Sequence, residues 1–88
     1  MRYFHTAAFK RAYHALDPSR QRRVDQALHQ LEILYAEHQR PFGIGLKSLK
    51  PGIWEIRVGL GDRILFRRQA DIVELLIVGS HDEITRLL

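Results

Sequence analysis

The apolar residues of this chain change their spacing once, at Arg40-Pro41-Phe42-Gly43, and that change separates what can be helix from what can be sheet. Before it, Phe9, Ala12, Tyr13 and Leu16 recur at the i, i+3, i+4, i+7 interval of one buried helix face. Val24, Ala27, Leu28, Leu31 and Leu34 or Tyr35 repeat that stripe. After it, Trp54, Ile56 and Val58 alternate with Glu55 and Arg57, the period of two that belongs to a strand with one face buried. A chain of 88 residues with this pattern has room for one domain, 1–88, and for no second core.

Local signals set the boundaries. Arg2 to His5 reads as a short strand, and Thr6 can cap the first helix. Asp17-Pro18 ends that helix and starts the next, because aspartate suits an N-cap and proline suits the first helical position. The two helices form an antiparallel hairpin. Gly59-Leu60-Gly61-Asp62 turns the chain after Val58, and Ile64 and Phe66 then alternate against Arg63, Leu65 and Arg67. Gln69-Ala70-Asp71 turns it again into Ile72 to Gly79, a nearly continuous apolar run that suits an internal strand. Ser80 with Glu83 has the spacing of a capping box, opening a last short helix whose apolar edge is Ile84, Leu87 and Leu88. The expected class is α+β in the order β-α-α-β-β-β-α. The helical hairpin should pack on one face of a small, mostly antiparallel sheet, leaving Glu55, Arg57 and Arg63 on the other face in solvent, with Arg67 a further candidate there.

Charge singles out the same sheet. The chain has 14 Lys or Arg against 10 Asp or Glu, and between 47 and 68 stand Lys47, Lys50, Arg57, Arg63, Arg67 and Arg68 against only Glu55 and Asp62. The rest of the chain is therefore balanced, and the whole excess falls in the hairpin, the footprint of a surface that meets phosphate. Cysteine is absent, which excludes disulfides and thiolate metal sites. His5, His14, His29 and His38 show no metal-ligand spacing, and no cofactor motif is present. No stretch approaches the ~20 apolar residues of a membrane span, so the expectation is a soluble cytoplasmic protein without a membrane partner.

On the basic face Arg57 and Arg63 can each grip phosphate oxygens through two parallel hydrogen bonds. His81 stands where the last strand meets the last helix and has the ring chemistry of a general acid or base. Glu55 is a further proton acceptor, and Lys47, Lys50 and Arg67 are candidate phosphate contacts around the site. Each has a plainer reading. His81 can be only a capping-turn residue, Glu55 and Arg57 can form solvated cross-strand pairs with Arg63 or Arg67, and loop lysines often only solubilise. Trp54 falls on the core side, and Arg20, Arg22 and Arg23 read as the solvated start of a helix.

The run LKSLKPGIWEIRVGLGDRILFRR, followed by a strand and VGSHDEI, resembles the RelE/ParE toxin superfamily over nearly the whole chain. The resemblance implies a toxin neutralised by a cognate antitoxin. RelE-like members are metal-independent endoribonucleases that cut mRNA on the ribosome, whereas ParE-like members inhibit DNA gyrase. Arg63 matches the arginine that touches the scissile phosphate in ribonuclease members. Glu55 and Arg57 stand where RelE has two lysines, and His81 stands where YafQ-like members use a histidine. The frequent C-terminal aromatic has no counterpart among Ile84, Leu87 and Leu88. The implied chemistry is attack of a ribose 2′-hydroxyl on the adjacent phosphorus, catalysed by Arg63, His81, Arg57 and Glu55 without metal or cofactor. The alternatives are a non-enzymatic gyrase inhibitor, or an inactivated toxin retained for binding antitoxin and operator DNA.

Overall fold

The computed structural model describes residues 1–87, so the expected role of Leu88 in the last helix lies outside the described residues. Strand β1 (Arg2–His5) leads into α1 (Ala7–Ala15) and α2 (Pro18–Glu37), followed by β2 (Lys47–Lys50), β3 (Ile53–Val58), β4 (Asp62–Gln69), β5 (Ile72–Ser80) and α3 (His81–Leu87). The helix starts follow the sequence signals. Thr6 Oγ1 accepts from the Phe9 amide at 3.1 Å and donates to the Leu75 carbonyl at 2.8 Å, so one hydroxyl caps α1 and ties it to β5. Asp17 accepts from the Arg20 amide at 2.9 Å with Pro18 at the first position of α2. Each such cap stabilises its helix by about 1 kcal/mol. The second helix ends at His38, whose φ of 55° is the left-handed conformation of a C-terminal stop.

The five strands lie in the order β1-β5-β4-β3-β2, with β1 parallel to β5 and all other neighbours antiparallel. This is one strand more than the expected order. The additional strand is β2, which carries only Leu49 as an apolar residue and so offers no alternation to read. It finishes the sheet as a short edge with Lys47 and Lys50 exposed, the usual protection of an open edge against further pairing.

One face of the sheet meets the helices. Phe9 of α1 and Val24, Ala27 and Leu31 of α2 are buried against Ile56, Val58, Ile64, Phe66, Val73, Leu75 and Val78, with Ile44 closing the edge. Trp54, Tyr13 and Leu28 pack around this core as half-buried neighbours, so Trp54 sits on the core side as its alternation implies. Phe66 is fully buried, and truncating it to alanine would cost about 3–5 kcal/mol. Arg20 departs from its expected role as a solvated residue. Its Nε and Nη2 donate to Asp62 Oδ2 and Oδ1 at 2.9 and 2.8 Å, joining the first turn of α2 to the first residue of β4. The spacing of 42 positions between the partners hides this pair from any local reading.

Candidate functional site

Strand register organises the sheet face away from the helices into rows. Lys47, Glu55, Leu65 and Ile77 stand side by side across four strands. One row toward the start of β4 are Arg57, Arg63 and Gly79, and one row the other way are Ile53, Arg67, Glu74 and Phe4. Leu65 and Ile84 are buried outside the main core, and α3 packs on β4 and β5, so this face is not bare. Its centre is apolar, and its cations stand in the rows on either side.

Glu55 corrects the expectation of a solvent-facing carboxylate, for it is only 7% exposed. The cause is β2, which places Lys47 directly across from Glu55 on one side while Leu65 flanks it on the other. Glu55 takes part in none of the ion pairs among the described residues, which join Arg2 to Asp71, Arg20 to Asp62 and Arg67 to Glu74. The cross-strand pairing of Glu55 with Arg63 or Arg67 is therefore absent among them.

Arg57 and Arg63 face each other directly across β3 and β4. Like charges in opposed positions destabilise a sheet, yet neither arginine forms an ion pair among the described residues. Arg63 is half-buried, and its Nη1 donates to the Asp62 carbonyl at 2.9 Å, which leaves most of its guanidinium donors unspent. Glycines bound the row on both sides. A Cβ on Gly45 would stand 2.9 Å from Arg57 Cβ, and one on Gly79 would stand 3.4 Å from the Glu83 carboxyl group. The row therefore carries two arginines, with Gly45 beside Arg57 at one end and the Glu83 carboxyl group over Gly79 at the other.

His81 stands at the same end of the sheet. Ser80 pairs with Asp62, and the His81 amide donates to the Gly61 carbonyl at 3.3 Å, so the first residue of α3 lies beside the turn that precedes Arg63. Its side chain is exposed. The capping box beneath it is formed in both directions: Glu83 Oε1 accepts from the Ser80 amide at 3.0 Å, and Ser80 Oγ accepts from the Glu83 amide at 3.2 Å. The Ser80 amide first, and then the Ser80 side chain, hold the Glu83 carboxyl group below the usual carboxylate range. Thr85 Oγ1 donates to the His81 carbonyl at 2.8 Å and steadies the same turn.

The sequence candidates thus divide. Arg57, Arg63 and His81 gather at one end of the sheet, Lys47 and Glu55 occupy the middle row, and Lys50 and Arg67 lie at the far end across from Ile53. Arg67 spends part of its charge on Glu74 at 3.3 Å. Arg20 acts on the site indirectly, by fixing Asp62 next to Arg63.

No family model and no curated protein sequence matches the chain. Solved structures do match. The RelB–RelE antitoxin–toxin complex of Methanococcus jannaschii aligns with a TM-score of 0.72 at 15% identity, covering 97% of this chain and 98% of that one. YafQ of E. coli aligns at 0.65 and 13%, covering 96% and 98%. A YoeB/ParE toxin from Agrobacterium tumefaciens aligns at 0.69 and 16%, covering 92% and 99%. The chain has the fold of the RelE/ParE toxin superfamily.

Proposed function

We propose that this chain is the toxin of a toxin–antitoxin pair and acts as a metal-independent endoribonuclease on mRNA, with the ribosome presenting the substrate. The observation that carries this reading is the Arg57–Arg63 pair, opposed across one hairpin with no carboxylate partner among the described residues. A phosphodiester seated between two such guanidinia receives charge-assisted hydrogen bonds from both, and these strengthen as the phosphorane gains negative charge. Each well-placed donor is worth about 3 kcal/mol in the transition state. His81 is the proton-transfer group, taking the 2′-hydroxyl proton or supplying one to the departing 5′-oxygen. Glu55, largely closed off between Lys47 and Leu65, is assigned to shaping the local field rather than to proton transfer. Lys47, Lys50 and Arg67 steer the strand from the middle and far rows.

The fold likeness to antitoxin-bound relatives supports a cognate antitoxin as the physiological partner. A basic face of this kind suits a partner segment that is acidic and amphipathic.

The test is induced expression with transcript ends mapped by sequencing. Cleaved messages and arrested translation, both lost in a folded Arg63→Ala variant, are the expected result. Double-strand DNA breaks with intact messages would identify a gyrase inhibitor instead. That second reading draws on the absence of phenylalanine, tyrosine and tryptophan from α3, His81–Leu87, and on the ParE-type structural neighbour.

A further inference from the structure

Arg57 has a second neighbour besides Arg63. Beyond β2 the edge of β3 is continued by the segment leading out of Pro41, where the Arg57 amide donates to the Ile44 carbonyl at 2.8 Å. Gly45 there has a φ of 62° and no side chain, and Arg57 Nε lies 3.5 Å from where a Gly45 Cβ would stand. The arginine therefore runs across Gly45 toward the open edge. At that edge a cavity of about 300 Å³ is lined by Arg57, Arg23, Gln26 and Gln30, with Gly59 and Leu60 of the hairpin turn at its rim. Arg23 is seated by a close approach: a Cβ on Gly59, whose φ is 59°, would stand 2.8 Å from Arg23 Cδ. Only glycine leaves room there for the arginine stem.

No acidic residue lines this cavity, and Arg23, like Arg57, forms no ion pair among the described residues. Two guanidinia and two side-chain amides converge on a space roughly ten times the ~30 Å³ that a water molecule occupies in the liquid. Leu60, 101% exposed at the tip of the turn, offers an apolar contact beside it. This combination of cations and amide donors around an acid-free hollow fits a phosphodiester group.

We propose that Arg23, with Gln26 and Gln30, forms a second phosphate subsite on α2, through which the RNA backbone continues from the Arg57–Arg63 row around the sheet edge. The proposal rests on the ribonuclease reading above, and adds that the bound strand leaves the sheet and reaches the helical hairpin. Arg57 is the shared member, contacting phosphate on both sides of the edge.

The test measures binding of a fluorescein-labelled single-stranded oligoribonucleotide, 2′-O-methylated so that it cannot be cleaved, across a salt series. Arg23→Ala should weaken binding about 5- to 10-fold and reduce the slope of log K against log salt by about 0.7, the loss of one phosphate contact on a single strand. Arg11→Ala, on α1, should change neither, and Arg23→Ala should melt as the parent protein does because its side chain is exposed. If the parent binds the oligonucleotide in an Arg63-dependent way and Arg23→Ala matches it in affinity and slope, the subsite is refuted while the ribonuclease reading stands. If the parent does not bind it even at low salt, the subsite is overturned, and the ribonuclease reading is judged by the mapped transcript ends alone. If Arg23→Ala impairs antitoxin binding alone, the hollow belongs to a protein partner and the proposal is overturned.

Discussion

Removing the guanidinium of Arg20 is the most informative single perturbation of this fold. Its side chain is 35% exposed, whereas that of Asp62 is only 10% exposed, and the two meet in a forked pair with bonds of 2.9 and 2.8 Å. Arg20→Ala leaves the Asp62 carboxylate nearly dry with both charged donors gone. A fully buried pair broken in this way costs about 3–5 kcal/mol, and the partial access of water through Arg20 reduces that to about 2–3 kcal/mol. For a domain of this size the loss lowers Tm by roughly 10–20 °C. Urea denaturation followed by circular dichroism on Arg20→Ala, Asp62→Ala and the double variant gives the coupling energy directly, and about 2 kcal/mol is expected. The consequence reaches the site, because Arg63 Nη1 bonds to the carbonyl of Asp62. Cleavage should therefore fall in Arg20→Ala at temperatures where the variant is still folded. A coupling below about 0.5 kcal/mol would show that the pair behaves as a solvated surface contact and would refute the reasoning.

Three further outcomes are expected. His81→Ala should slow RNA cleavage by about 100-fold or more, with no rescue in His81→Gln, since an amide hydrogen-bonds but does not move protons; unchanged single-turnover rates in both variants would reduce His81 to a turn residue. Glu55→Gln should keep cleavage within about threefold, because the carboxylate is shut between Lys47 and Leu65; a 100-fold loss in that variant would make Glu55 the general base. Glu83 has a lowered pKa from its bonds to Ser80, so its contribution to stability is present above the ordinary carboxylate range and is lost as pH falls through the lowered value. Amide protection factors in α3, corrected for intrinsic exchange, should accordingly fall as the pH drops below the ordinary carboxylate range, and Glu83→Gln should remove that dependence.

What the sequence disclosed and what it concealed differ in range. Thr6, Asp17 and Ser80 each cap a helix through an atom three residues on, so both partners fall inside one short window. That Arg57 and Arg63 share a face was legible for the same reason, since the turn at 59–61 brings two strands together and alternation assigns their faces, whereas their direct opposition comes from the register. Nothing local announced β2, because Lys47, Ser48 and Lys50 become a strand only by pairing with β3. From that one omission follows the misplacement of Glu55, which looks solvent-facing on a hairpin and is covered once a third strand lies beside it. Arg20 and Asp62 are hidden in the same way, as are Arg23 and the Gly59 turn. For these two arginines the partner comes from the other half of the chain, across the change of period that organises the fold.

The Arg57–Arg63 opposition also sets a limit on what the fold can be for. Opposed side chains in an antiparallel pair begin about 5 Å apart at Cβ, and even with the Arg57 stem drawn across Gly45 the two like charges repel, by at most about 0.8 kcal/mol in water. A valine or threonine at either position would remove this cost and suit the strand better. Three neighbouring features nonetheless keep both guanidinia in place: the Asp62 carbonyl holding Arg63, the Arg20 fork holding Asp62, and Gly45 making way for Arg57. An arrangement that spends stability to hold two cations on neighbouring strands is relieved by an anion that bridges both. A phosphodiester does this with its two non-bridging oxygens, replacing that repulsion with paired charge-assisted bonds.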